Sequence, residues 1–367
     1  MHYYIRHQSP STRHWQTYVL NLPNNPIRRV FTRTSFISSK LSLKLLSKLS
    51  RKVSLALVLL LLSYSWSLQA LPANNRRAGN RSDAIILPPS PLEVIKFVRP
   101  VIKYGADGYA GPADIWNPHY GFLVQSTNPA SYGLNFPTTG ADGLYFDLII
   151  MGEARDLRWE SPIRGKGITV TVARRPIFNS DGDVEYRVTL NGQHARAHIN
   201  NPHPRRIDNE IELPQTFELV GKNRSGEEIV RYGFVLQKWY VNRGRKFDTF
   251  QNQLSWCSSL GYRMVQVKDL TNSACRGSGS GPHCRGAISA TPHSTGNHYQ
   301  RRIGAGFSAE WGDTGIYTRA GFENHFYWTS DAAGGDYQFT VFMGGGYIGN
   351  HNALPNNTNY YGLCTTP

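Results

Sequence analysis

Few residues in this chain are spaced for chemistry. His194 and His198 stand four apart, which on a helix would offer a metal two imidazoles on one face. They follow Asn191-Gly192 and run into Asn200-Asn201-Pro202, so a strand or loop is expected, where the rings would lie about 13 Å apart. Solvated histidines are the expectation here, and equally for His283, His293 and His298 in a glycine-rich stretch without acidic or cysteine-pair spacing. Gly277-Ser278-Gly279-Ser280-Gly281 has the composition of a phosphate cradle, but no Lys-Ser/Thr and no helix start follows it. It reads as a flexible turn. Glu310 and Asp313 could form a carboxylate pair, which on a loop is expected to be solvated. There is no Gly-x-Ser-x-Gly and no His-Glu-x-x-His. The residues therefore predict no catalytic group, no metal ligand, no cofactor and no enzyme.

The four cysteines, Cys257, Cys275, Cys284 and Cys364, carry the clearest chemistry. Their spacing lacks the Cys-x2-Cys of a zinc site, and an even number in an exported chain reads as disulfides. Of the three pairings that four cysteines allow, a bridge between Cys275 and Cys284 is geometrically easy across the Gly/Ser loop between them. That leaves Cys257 with Cys364, a staple worth roughly 4–5 kcal/mol of unfolded-state entropy.

Two kinds of element must position these residues. From about Glu93 to Tyr232 the pattern is β: Ile168 to Val172, Tyr186 to Leu190, Phe217 to Val220 and Ile229 to Val235 read as strands, with turns at Asp181-Gly182 and Asn191-Gly192. Short strands separated by Gly, Pro, Asn and Asp predict a β-sandwich. Around Lys238 the character changes. Trp239-Tyr240-Val241 closes a strand, and Asp248 to Leu260 is the best helical stretch, with Phe250, Leu254 and Cys257 on one face, Asp248 as its cap and Gly261 as its end. A second short helix starts at Val267. Strands are expected at Phe326 to Ser330 and Tyr337 to Phe342, separated by Asp331 to Asp336, and long loops at 271–325 and 343–363. Such loops usually serve binding.

Charge narrows the partner. The formal charge is +15, but residues 1–52 hold ten Lys/Arg and no Asp or Glu, and Arg76, Arg77 and Arg81 follow before Asp83. From Asp83 onward 27 basic residues face 25 acidic ones, a net of +2. That part lacks the basic surface that phosphate binding needs, so nucleic acid is not expected as a partner. Val53 to Leu62 is an apolar run behind Lys44, Lys48, Arg51 and Lys52, followed by small residues ending at Ala70 and Ala73, the pattern of a secretory signal peptide. The competing reading is an uncleaved anchor, since no charge interrupts Val53 to Asn75 and that length crosses about 30 Å as a helix. The residues ahead of the apolar run exceed what a secretory leader needs, which suggests a misassigned start. Residues 1–73 are thus leader and 74–92 a polar, then proline-rich linker. The expected product is exported: secreted, held at the cell surface or periplasmic, touching membrane only through its signal or anchor.

A family resemblance rests on the order Trp239-Tyr240-Val241-Asn242, Trp256-Cys257, Leu260-Gly261-Tyr262-Arg263, Trp311, Tyr327-Trp328-Thr329-Ser330 and a last Cys364. This order resembles the C-type-lectin-like domain that ends intimin and invasin adhesins of Gram-negative bacteria. Leu134 to Gly140 and Ile168 to Val172 are similar to the bacterial Ig-like domain that precedes it. The resemblance covers about residues 120–367. It implies a β-rich α+β architecture, with an Ig-like sandwich at 93–231 and a disulfide-linked lectin-like domain at 232–367. In that fold the first helix is bridged to the final strand, which matches Cys257 with Cys364. Two departures matter. Adhesins of this group carry a large outer-membrane β-barrel, for which 367 residues leave no room. The Glu-Pro-Asn and Trp-Asn-Asp triplets of calcium-dependent lectins are absent and Asp331 is a lone carboxylate, so calcium is not expected.

Three functions stay open on this reading: an adhesin binding a protein receptor on a cell surface, a calcium-independent glycan-binding module, and a degenerate adhesin fragment. Tyr299, Tyr317, Phe322, Tyr360 and Tyr361 lie among loop residues, some of them expected to be exposed. Arg301, Trp311, Tyr317 and Arg319 are the expected receptor-binding residues, being of types enriched at protein interfaces. Trp311, like Trp328, is also a core candidate.

Overall fold

Alternation of apolar and polar side chains builds the first half. The computed structural model describes residues 95–150, 156–175, 184–207, 211–356 and 359–367. The leader, the linker and the turn expected at Asp181-Gly182 lie outside them. In chain order the strands of this half are β1 (Ile95–Arg99), β2 (Trp116–Asn117), β3 (Gly121–Leu123), β4 (Thr139–Ala141), β5 (Tyr145–Ile150) and β6 (Arg158–Trp159). There follow β7 (Ile163–Arg164), β8 (Ile168–Arg175), β9 (Val184–Gly192), β10 (Gln215–Lys222) and β11 (Glu228–Leu236). One sheet has the order β2-β3-β1-β5-β9-β8-β7 and a second β11-β10-β6. Val184, Tyr186, Val188 and Leu190 are all buried, the period of two that a strand imposes on its inner face. The sheets meet through Phe146 of β5, whose ring lies 5.8 Å from Phe234 and 6.3 Å from Tyr232, and through Trp159 against Tyr186 at 5.2 Å. This is a sandwich. Strand β11 continues through residue 231 to Leu236.

The Asn191-Gly192 turn is not formed. Both residues stay in β9, paired with Thr169 and Ile168. A Cβ at Gly192 would sit 2.5 Å from the Trp239 ring, and one at Gly140 2.9 Å from it, so these glycines make a slot for that indole. Its Nε1 donates to Gln193 O at 2.9 Å. Glycine serves close packing here rather than a reversal.

The second half mixes strands with helices: β12 (Lys238–Asn242), α1 (Phe250–Leu260), β13 (Arg263–Met264), α2 (Val267–Leu270) and α3 (Phe307–Trp311). After a long irregular run come β14 (Phe326–Gly334), β15 (Tyr337–Phe342), β16 (Tyr347–Asn352) and β17 (Leu363–Thr365). One sheet has the order β13-β17-β12-β4, in which β4 from the first half pairs parallel to β12, and the other the order β14-β15-β16. Helix α1 is capped by Thr249, whose side chain accepts from Asn252 N, and ends at Gly261 in the left-handed region at φ +85°. Asp248 is not the cap, because its carboxylate accepts from Arg243 Nη1 at 3.2 Å and from Asn252 Nδ2 at 2.6 Å. The buried face of α1 is Gln253, Trp256, Cys257 and Leu260, while Phe250 and Leu254 are half-buried at its margin. Asp331 to Gly334 extend β14 instead of forming a loop, because Gly334 and Gly335 at positive φ complete the reversal in a tight turn. Strand β16 lies inside the loop expected at 343–363. The molecule is β-rich α+β, a sandwich followed by a disulfide-linked part.

Candidate functional site

Two disulfides fix the scaffold of the second half. Cys257 of α1 is bonded to Cys364 of β17 across a sequence separation of 107, and Cys275 to Cys284 across 9. Their Cα atoms are 5.5 and 5.4 Å apart, the ordinary range for such bonds.

Three of the four residues expected at a receptor surface are wholly buried: Arg301, Trp311 and Tyr317. Each is consumed by an internal polar requirement. Arg301 donates through Nη1 to Glu310 O at 2.8 Å and through Nη2 to Val101 O, and its guanidinium lies 4.5 Å from the centre of the Trp116 ring. Burial pushes its pKa down. Trp311 Nε1 donates to Thr139 O at 3.1 Å, and its ring packs 4.8 Å from Phe136. The Tyr317 hydroxyl accepts from Val101 N at 2.8 Å and donates to Trp311 O at 3.3 Å. Tyr299, Phe322 and Tyr361 are likewise buried, and Tyr360 is half-buried.

Glu310 and Asp313 are not solvated either. Glu310 is completely buried on α3 and accepts from Thr138 N at 3.0 Å, Thr138 Oγ1 at 2.7 Å, Thr139 N at 3.0 Å, Thr139 Oγ1 at 2.5 Å and Gly304 N at 2.9 Å. Burial raises its pKa, with those hydrogen bonds pulling the other way. Asp313 is buried and pairs with Lys103 Nζ at 2.8 Å. His194 is exposed in the loop after β9, while His198 closes a 3-10 turn and its carbonyl accepts from Trp256 Nε1 at 3.2 Å.

Arg319, the fourth residue, is exposed and lines an open cleft of about 730 Å³. The sandwich side contributes Lys103, Asp142, His194 and Arg196; the other side contributes Arg245, Ile316, Arg319 and Glu323. Three ion pairs line it: Lys103–Asp313, Arg196–Asp142 and Arg245–Glu323, the last at 2.7 Å. In each pair the cation is the exposed member. The Arg245 side chain is 87% exposed against 28% for Glu323, and that of Arg196 46% against 10% for Asp142. The hydrogen bond to Asp313 raises the pKa of Lys103, and that to Glu323 raises the pKa of Arg245, so both stay charged. The Arg319 guanidinium has no ion-pair partner among the described residues, and its carbonyl accepts from Arg196 Nη2 at 3.0 Å. Ile316 adds exposed apolar surface. A ligand entering this cleft therefore meets cationic heads, with the carboxylates set beneath them.

Sequence spacing did not bring Lys103, Arg196 and Arg245 together, because each comes from a different connecting segment. The one local signal is Arg243-Gly244-Arg245-Lys246, three cations just after β12.

No family model matches the chain. Over 140 residues it is 29% identical to the inverse autotransporter adhesin YeeJ of Escherichia coli strain K12, a match taking in 36% of this chain and 5% of that protein. The matched 140 residues are similar to part of an adhesin, and the chain spans about 5% of that relative's length. Among solved structures, the bacterial integrin-binding protein invasin aligns over 66% of this chain and 38% of its own at 16% identity, TM-score 0.39. Intimin in its complex with Tir90 aligns over 63% of this chain and 88% of its own at 10% identity, TM-score 0.32. No helix among the described residues is long and apolar enough to cross a membrane.

Proposed function

We propose that this chain is an exported adhesin that binds a proteinaceous receptor on a cell surface, without calcium and without catalysis. The observation that carries the reading is the cleft: cations on its exposed rim, carboxylates set deeper, and Arg319 with a guanidinium free to engage a partner. Guanidinium forks bind carboxylates in bidentate fashion, and arginine is enriched at the residues that dominate protein interfaces. Ile316 beside them supplies the apolar contact that such sites need. The receptor feature that fits is an acidic segment with an apolar residue next to it. Domain limits near 93–231 and 232–367 belong to the same reading, as an Ig-like sandwich and a lectin-like receptor-binding domain. Strand β4 and the Thr138–Glu310 bonds tie the second part to the first, so the test uses the whole chain. Purified protein is applied to cells treated with protease or with glycosidases, with and without EDTA. Attachment lost to protease and indifferent to glycosidase and EDTA is expected. Attachment that survives protease but is lost to glycosidase or chelator overturns the reading.

A further inference from the structure

A second recess shares no lining residue with the cleft and opens between the loop closed by Cys275–Cys284 and strand β16. Its volume is about 300 Å³, and its walls include His283, Asn297, Phe326, Tyr347, Asn350 and His351. No Asp, Glu, Lys or Arg lines it. The recess is held in shape from beneath. Asn297 is buried, donates to Gly279 O at 3.0 Å and to Ile348 O at 2.9 Å, and accepts from Ile348 N at 2.8 Å, so it locks the disulfide loop to β16. The Tyr347 hydroxyl lies 2.9 Å from that of Tyr109, whose ring is 5.4 Å from Tyr104 and 5.0 Å from His298, so an aromatic strip continues from Tyr347.

The polar groups offered to a ligand are flat and uncharged. His351 Nδ1 is engaged with Thr340 Oγ1 at 2.9 Å, which leaves Nε2 available. Burial, then the neighbouring His325 and His283, push its pKa below the usual histidine range, so the ring is neutral at pH 7. The Asn350 side-chain amide has no hydrogen-bond partner among the described residues, and Tyr347 is exposed. An ion placed here would lose hydration without gaining a counter-charge. The volume lies at the small end for ligand pockets, enough for one ring rather than a chain. Aromatic faces beside amide and imidazole groups suit a ligand with an apolar C–H face and a row of hydroxyls.

We propose that this recess is a calcium-independent subsite for a single neutral sugar residue, stacked on Tyr347 and Phe326 and hydrogen-bonded by Asn350 and His351. The proposal is independent of the protein-binding cleft. It is tested by saturation-transfer NMR on the whole chain, in EDTA, with the methyl glycosides of mannose, galactose and N-acetylglucosamine; N-acetylneuraminic acid and tyrosinamide serve as comparison probes. At least one neutral glycoside is expected to bind, and Asn350→Ala or Tyr347→Ala to weaken it tenfold or more while near-ultraviolet circular dichroism stays native. The double substitution Cys275→Ser/Cys284→Ser is expected to weaken it as well, because it frees the wall formed by Gly279 and His283 while Cys257–Cys364 remains. The proposal is overturned if no neutral glycoside binds, if binding is unmoved in folded variants, or if only the acidic sugar or tyrosinamide binds.

Discussion

The two halves of the molecule satisfy their backbones by different means. In the sandwich, eight- and nine-residue strands such as β8, β9, β10 and β11 pair along their length, so ladder hydrogen bonds do the work and side chains are free to alternate. The second half has fewer long ladders and long irregular runs, in which buried polar side chains take over. Asn272 donates to Pro292 O and Gln300 O, Asn297 locks β16, and Arg301 and Glu310 close gaps around α3. The difference teaches that a polar or aromatic residue in an irregular region is often used up inside, since a buried loop must find partners for every backbone group.

That contrast can be broken first at its strongest constraint. Replacing Cys257 and Cys364 by Ser is expected to cost about 2–5 kcal/mol, read as a lowered urea midpoint, because the bridge restrains a separation of 107 residues. A variant with an unchanged midpoint would show that the second half holds without its staple.

A smaller effect is expected at Glu310. Glu310→Gln places an amide N–H₂ against the Thr138, Thr139 and Gly304 donors, at a cost of about 1–3 kcal/mol. The pH dependence has a definite sign. Burial raises the folded-state pKa, so the folded protein holds the Glu310 proton to higher pH than the unfolded chain. The contribution of Glu310 to stability is therefore greatest below the ordinary carboxylate range and falls as pH rises toward the raised value. Denaturation curves for both proteins at several pH values should show that slope in wild type and its loss in the variant.

Much of the fold was legible in the residues, and the reasons for the exceptions are physical. The strands at Ile168, Tyr186, Phe217 and Ile229 carry their period of two openly, and Gly261 ends α1 as its backbone freedom predicts. Gly192 misled because a glycine demanded by the Trp239 ring is indistinguishable in sequence from one demanded by a turn. Of the candidate site, Arg319 was legible by type alone. Arg301 and Tyr317 are also of interface-enriched types but are spent on Val101, Glu310 and Trp311, which no local pattern announces. Lys103, Arg196 and Arg245 reach the cleft only through the tertiary fold.

The smallest structural effect and the largest functional one should coincide at the cleft. Arg245 and Arg319 are exposed, so reversing both, Arg245→Glu with Arg319→Glu, should leave the fold intact. The same change places like charge opposite the acidic segment proposed for the receptor and should remove the electrostatic steering of encounter. The decisive measurement is the association rate of the whole chain with cells that carry the proposed protein receptor, taken at rising salt for wild type and for this variant. The account predicts a wild-type rate that falls with salt and a variant rate lower by tenfold or more at low salt, with an unchanged thermal midpoint. Equal rates for wild type and the folded variant at every salt concentration would contradict it.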